Sequence, residues 1–357
     1  MKIGLLLINL GTPDRPEPRS VRRYLRELLS DPLVMDMAPV RRWMLLNLVI
    51  LPLRPRRSAR AYAAVWTRRG SPLLVHGKDL SEAVSSKLGS EWRVELAMRY
   101  GNPSIDQAFR RLLAASVQRV IVLPLYPQHA ASTRGSAIEA VRAAARRMDV
   151  SNELSVVPRF FDEPGFLEAV AGRVREELGA EEIDHVLFSF HGLPKSHIRR
   201  ADPTGSFCLE REDCCAVLVE ANEECYRFQS FQTARLLASE LDLGREGDGW
   251  SVAFQSRMGF SSWIEPSTED LLLALPRRGK RRVAVVCPSF VADCLETTEE
   301  IGMRAKSLFL EAGGERFILV PCVNSCSRWV DTVARLANRH WADVEAVTAS
   351  RREPEGV

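Results

Sequence analysis

Two groups of side chains in this sequence are of the right type to do chemistry. The first is a histidine, His191, together with three acids, Asp293, Glu296 and Glu300. His191 follows the apolar run "VLFSF" and precedes Gly192 and Pro194, which puts an imidazole on a tight turn at the mouth of a strand. The acids fall at i, i+3 and i+7 in "VADCLETTEEIG", so a helix beginning there would carry them on one face. Acids at a helix start also favour its dipole, but imidazole and carboxylates together suit a divalent transition metal in transit. The second group is Cys208, Cys214, Cys215 and Cys225, half of the eight cysteines, in "FCLEREDCCAVLVEANEEC". Thiols that stay reduced in the cytosol are more often metal ligands or catalysts than cystines. Zinc, an iron-sulfur cluster and an amphipathic helix with incidental buried thiols are the readings their spacing leaves open.

The elements that must position these groups alternate along the chain. "IGLLLINLG" is followed by "SVRRYLRELL", "VELAMRYGNP" by "SIDQAFRRLLAAS", and "RVIVLPLYP" by "GSAIEAVRAAARRM". Short apolar runs alternating with helical patterns predict βαβ units on a parallel sheet. "HVLFSFHGLP", "WSVAFQSRMG", "RVAVVCPSFVADC" and "RFILVPCVNS" repeat the pattern, and the strand ends "GLLLINLGTP" and "HVLFSFHGLP" echo each other. We expect two similar α/β domains, residues 1–162 and 163–320. The second carries the cysteine insertion near 205–226, and 321–357 forms a helix packing back on the first domain with a frayed tail, "SRREPEGV". Ligands of open parallel sheets bind beyond the carboxyl ends of the strands, where His191, "RYGNPS", "LYPQHAASTRGS" and "FQSRMGFSSWIEPST" all fall.

Composition excludes several classes. No apolar run approaches the roughly 20 residues of a membrane-spanning helix, and "MKIGLLLINLGTPD" reads as a first strand rather than a secretory signal, which predicts a cytoplasmic protein. A net charge of +3 gives no argument for nucleic acid, and no phosphate-binding glycine loop is present. One segment stands apart: "RRWMLLNLVILPLRPRRSAR" has arginines at both ends, no acid and an apolar middle, which suits a membrane surface or an apolar ligand with anionic groups.

Taken in order, "LLLINLGTP", "RRSARAYAAVWTRRGSP", "MRYGNPS", "YPQHAASTRGS", "FSFHGLP", "FQSRMGFSSWIEPST" and "CPSFVADCLETTEEI" resemble the ferrochelatases, enzymes that insert ferrous iron into a porphyrin. The resemblance implies two Rossmann-like domains and, as substrates, Fe2+ and protoporphyrin IX in the last step of haem synthesis. It makes His191 the active-site base and Glu296 the essential glutamate, with Glu300 and Asp293 as an acidic path for metal or protons. It places Arg99, Tyr100 and Tyr126 on the opposite side of the pocket, Leu10 above the macrocycle, Ser256 on a propionate and Trp263 against the porphyrin. Arg57, or Arg56 beside it, would meet the porphyrin carboxylates. The apolar segment becomes a pocket lip resting on the membrane, with Leu46 and Val49 in the contact, and the preceding oxidase of the pathway becomes a partner. Leucine in "NLGTP" favours protoporphyrin; coproporphyrin III is the alternative substrate, and a non-catalytic iron-sulfur or haem sensor is the alternative of another class.

The cysteines depart from the animal pattern of one early and three late ligands, since the first half of the chain has none. The resemblance is instead to bacterial members whose four [2Fe-2S] ligands, here Cys208, Cys214, Cys215 and Cys225, lie in one internal insertion. Zinc remains the alternative occupant.

Overall fold

The computed structural model describes residues 2–149, 154–257 and 262–350, with side chains to residue 345. The tail beyond Ser350 and residues 258–261 within "FQSRMGFSSW" lie outside the described residues.

Two four-stranded parallel sheets, flanked by helices, make up the chain. The first contains β1 (Lys2–Thr12), β2 (Trp92–Gly101), β3 (Val117–Pro124) and β4 (Leu154–Val156), in the order β2-β1-β3-β4. The second contains β5 (His185–His191), β6 (Trp250–Gln255), β7 (Arg282–Val286) and β8 (Arg316–Leu319), in the order β6-β5-β7-β8. The two orders are the same. Central strands of such sheets are covered on both faces and read as continuous apolar runs rather than alternating ones. Leu5, Leu6, Leu7 and Ile8 of β1 and Leu187, Phe188 and Phe190 of β5 are accordingly sealed from solvent.

The echo between "NLGTP" and "FHGLP" has a steric cause. Gly11 pairs with Tyr100 of β2 at φ +117°, and a Cβ there would sit 1.8 Å from the Tyr100 carbonyl oxygen. Gly192, just past β5, lies against the same place in the second sheet, where a Cβ would come within 2.7 Å of the Gln255 carbonyl oxygen. In both halves the first strand can reach its cleft only through glycine.

The helix Ser327–Ser350 crosses back to the first half. It packs on the helices Pro72–Leu88 and Pro164–Leu178, with Lys87 paired to Asp331 at 2.8 Å and Ser155 bonded to His340 at 2.7 Å. Trp329, fully buried, stacks at its start against Phe160 and Phe166.

Candidate active site

In a sheet ordered 2-1-3-4, successive connections leave in opposite directions from the first and third strands, and the crevice between their carboxyl ends is the binding position. Leu10 lies near the end of β1 and Tyr126 follows β3; His191 closes β5, and Ser289, Phe290 and Glu296 follow β7. All of these line one cavity of about 900 Å³, so the two crevices share a single space. Its size falls in the range of small-molecule pockets.

The His191 ring is half-buried, and its Nδ1 lies 2.7 Å from the Gly192 carbonyl oxygen. A carbonyl only accepts, so Nδ1 carries the proton and neutral His191 keeps Nε2 as a free base. The backbone on either side is held: the His191 N–H donates to Ser289 Oγ at 3.0 Å, and the Tyr226 hydroxyl donates to the His191 carbonyl at 2.8 Å.

The acids do not form the row of three that an α-helix would give. Residues Glu296–Ala305 form a π-helix, whose i→i+5 bonding widens the turn, and the helical conformation begins only after Asp293. Asp293 turns away from the cavity into a network of its own: its carboxylate accepts from Asn324 Nδ2 at 2.7 Å, from Thr297 Oγ1 at 3.2 Å and from the Cys322 N–H at 3.2 Å. Glu296 and Glu300 remain on the cavity wall, joined by Glu299, which the spacing argument did not single out. Burial pushes the Glu300 carboxyl up; Ser256 opposes the rise, the charge of Glu296 adds to it and that of His191 subtracts. The three groups therefore sense one another.

Ser256, expected on a propionate, lines the cavity and holds Glu300. It sits at φ +65°, donating its N–H to Oε1 and its hydroxyl to Oε2, each at 2.7 Å. Trp263 stands over Gly192, its Cε3 within 3.4 Å of where a Cβ would be, but is not among the cavity-lining residues.

Tyr126 lines the cavity as well. Its hydroxyl is buried without a hydrogen-bond partner, and burial raises its pKa well above the ordinary value, so it stays a neutral donor. Arg99 and Tyr100 do not line the cavity. Arg99 donates to Asp31 at 2.6 Å and to Ser136 Oγ at 2.7 Å, and the Tyr100 hydroxyl donates to Asp31 at 2.8 Å. They brace the wall from behind. Arg57 lines the cavity and Arg56 does not; Arg54 and Arg60, missed in the sequence, join it because they recur every third residue along the helix Leu51–Val65.

The profile of the family described as Ferrochelatase matches residues 2–341. The chain belongs to the ferrochelatase family. Curated ferrochelatases agree with it over nearly their whole lengths: that of Coxiella burnetii (strain Dugway 5J108-111) is 46% identical over 338 residues, covering 95% of this chain and 94% of that protein. That of Azotobacter vinelandii is 48% identical over 337 residues, covering 93% and 97%. Among solved structures, the sirohydrochlorin chelatase SirB from Bacillus subtilis subspecies spizizenii, in complex with cobalt, superposes with a TM-score of 0.55 at 11% identity, over 97% of this chain and 98% of that one. At that identity the likeness is one of fold, the chelatase fold.

Within this ferrochelatase-family chain the segment that carries the four clustered cysteines is a folded loop. Cys208, Cys214, Cys215 and Cys225 are all buried, between 1% and 4% exposed. Cys215 Sγ lies 3.9 Å from Cys214 Sγ, and Cys208 and Cys215 are both near enough to Cys225 to shift its thiol. The contact with Cys208 pushes the Cys225 thiol up to about 12. Among the described residues, no three histidines, cysteines or acids converge as ligands of a single ion. Arg227 donates to Cys215 Sγ at 3.1 Å and to Cys214 Sγ at 3.8 Å, placing a positive charge against the thiols.

Asp202 ties the loop down. Its carboxylate accepts the N–H groups of Thr204, Phe207 and Cys208 at 2.8, 2.8 and 2.9 Å, and the Thr204 hydroxyl at 2.7 Å. Burial would raise its pKa, but these donors outweigh it and hold the carboxyl well below the usual range. Asp202→Ala leaves three backbone donors unpaired at about 1–3 kcal/mol each. Maleimide should then label the four cysteines of metal-free protein at least about tenfold faster, read by mass spectrometry.

Proposed function

We propose that this protein inserts Fe2+ into protoporphyrin IX, releasing two protons and forming protohaem as the last step of haem biosynthesis. The observation that carries the reading is the pairing of a half-buried His191, with Nε2 free, and the Glu296 and Glu300 carboxylates on one wall of a cavity large enough for a small flat ligand. A planar porphyrin hides its nitrogen lone pairs, so a pocket that holds it bent favours the metal-accepting state. His191 takes pyrrole protons, and Glu300, whose carboxyl burial pushes up, relays them along the π-helix. Leu10 lies over the macrocycle, while Arg57 with its neighbours meets the anionic side chains. Leucine at position 10 supports protoporphyrin over coproporphyrin III as substrate. Anaerobic iron insertion, followed by porphyrin absorbance with both porphyrins in parallel, is the test: faster turnover of protoporphyrin IX is expected. Preference for coproporphyrin III would overturn the substrate, and turnover of neither would overturn the enzyme.

Next in the chain to the cavity-lining Arg54, the surface is apolar. Val40, Trp43, Leu48 and Leu53 are 60% exposed or more, beside Arg41 and Arg42. No helix among the described residues is long and apolar enough to cross a membrane. A surface of this composition lies against an anionic bilayer, and the enzyme that makes the porphyrin would hand it over there. Leu46, earlier grouped with Val49 in that contact, is 3% exposed and belongs to the core beneath. The informative variant is therefore Leu48→Glu with Leu53→Glu. Co-sedimentation with phosphatidylglycerol vesicles should fall at least about tenfold, since each leucine is worth about 1.5–3 kcal/mol, while turnover of detergent-dispersed porphyrin persists.

The thiol loop fits a [2Fe-2S] cluster as a resident cofactor. Two irons need four thiolates in pairs rather than at one point, and the Cys214–Cys215 contact, with Cys208 and Cys215 both near Cys225 in one buried loop, supports that over mononuclear zinc. The buried negative charge of such a centre would be balanced by Arg227. When bound, the cluster supplies a one-electron redox centre; the loop's own part is to bury it. Protein purified without oxygen should contain about two irons and two sulfides per chain; zinc, or neither, would overturn the assignment.

A further inference from the structure

Tyr226 joins the two sites. It is the first residue of the helix Tyr226–Glu240 and follows Cys225 directly, the thiol that Cys208 and Cys215 both lie near. Its side chain points the other way, to the catalytic wall, where it is 6% exposed and lines the cavity. The hydroxyl donates to the His191 carbonyl at 2.8 Å and lies near Ser289, the residue whose Oγ accepts the His191 N–H at 3.0 Å. Both backbone polar groups of His191 are thus held by side chains, its carbonyl by Tyr226 and its N–H by Ser289. Because the ring Nδ1 is pinned to the carbonyl of the next residue, the imidazole must follow that backbone wherever it goes.

We infer that Tyr226 is a positioning residue for His191, and that through Cys225 it carries the state of the thiol loop to the reaction. The first half rests on the reading of His191 as the proton acceptor. Misplacement of a reacting group by about 1 Å is enough to cost about 10²-fold in rate. Any rearrangement at Cys208, Cys215 or Cys225 shifts the start of the helix, and with it the hydroxyl that fixes His191.

The test is a set of kinetic comparisons on the full chain. Tyr226→Phe removes one oxygen and should lower kcat about tenfold, the worth of one hydrogen bond, while KM for the porphyrin stays within twofold of about its native value. Ser289→Ala releases the other side of the same clamp, and adding it to Tyr226→Phe should cost little more than either alone. Neither substitution should lower the residual rate of His191→Ala. Normal kcat in Tyr226→Phe, with His191→Ala inactive, overturns the clamp; near-normal turnover of His191→Ala overturns the reading of the histidine instead. For the second half, Cys208→Ser disturbs a thiol near Cys225. It should lower kcat in the native chain and have no further effect once Tyr226→Phe has released the clamp. Equal further losses in both backgrounds overturn transmission through Tyr226.

Discussion

His191→Ala should abolish iron insertion while porphyrin still binds. A positioned general base contributes about 10²- to 10⁴-fold, and His191 is the one histidine lining the cavity among the described residues. The cavity's apolar wall and its arginines are untouched by the substitution, so quenching of intrinsic fluorescence by added porphyrin should give a dissociation constant within a few-fold of the native one. Glu300→Gln separates this role from that of the acids. It keeps the size of the side chain and one acceptor for Ser256 but ends its proton exchange. Its kcat should fall by less than that of His191→Ala, because Glu296 remains on the same wall. Near-normal turnover of His191→Ala would sink the assignment of the base.

The largest effect on stability is expected away from the chemistry, at Asp31. This carboxylate is 5% exposed and accepts from Arg99 and Ser136 at 2.6 Å, Tyr100 at 2.8 Å and the Leu33 N–H at 2.8 Å. It ties the end of the helix Pro18–Ser30 to the end of β2 and to the start of the helix Ser136–Arg147. Removing one partner of a buried pair costs about 3–5 kcal/mol; because Arg99 keeps 22% of its side-chain exposure, Asp31→Ala belongs near the lower end, about 3 kcal/mol. Burial alone would raise the Asp31 pKa, but the Ser136, Leu33 and Tyr100 hydrogen bonds and the Arg99 charge bring it below the ordinary value. A carboxyl lowered on folding contributes stability that is complete above its unfolded pKa, about 4, and is lost as pH falls through the folded value. In urea melts, the gap between native and Asp31→Ala protein should therefore be full at pH 7 and close progressively below about pH 4. An equal gap at every pH would mean that packing rather than charge carries the effect.

Asp31 also shows why part of the site could not be read along the chain. Arg99 and Tyr100 end a strand at the cleft side of the sheet, where position alone makes them ligand contacts. Asp31, 68 residues earlier, turns them into a brace. Position along a strand says which end a residue occupies, not which neighbour from a distant element has already claimed it. Asp293 is the same lesson at shorter range. Its spacing from Glu296 and Glu300 fits an α-helix, but the π-helix starts three residues later and Asn324 takes the carboxylate. Local spacing predicts a shared face only when the type of helix is known. Tyr226 gave no signal at all, because its partner is a backbone carbonyl 35 residues away.

By itself the sequence determined what depends on local pattern. Buried apolar runs alternating with amphipathic stretches make parallel α/β halves, since a strand covered on both faces must be apolar throughout. It determined the glycines at the two strand mouths, His191 on its turn, the glutamates after β7 and the thiols of one short loop. Tertiary structure decided which of these share a space. It set two crevices face to face around one cavity, withdrew Arg99, Tyr100 and Asp293 into networks behind the wall, turned Ser256 onto Glu300 and brought the helix after Cys225 against His191. The division follows from range: propensity, burial period and chain stiffness act over a few residues, whereas hydrogen-bond partners of buried polar groups are settled only when distant segments meet and every donor must find an acceptor.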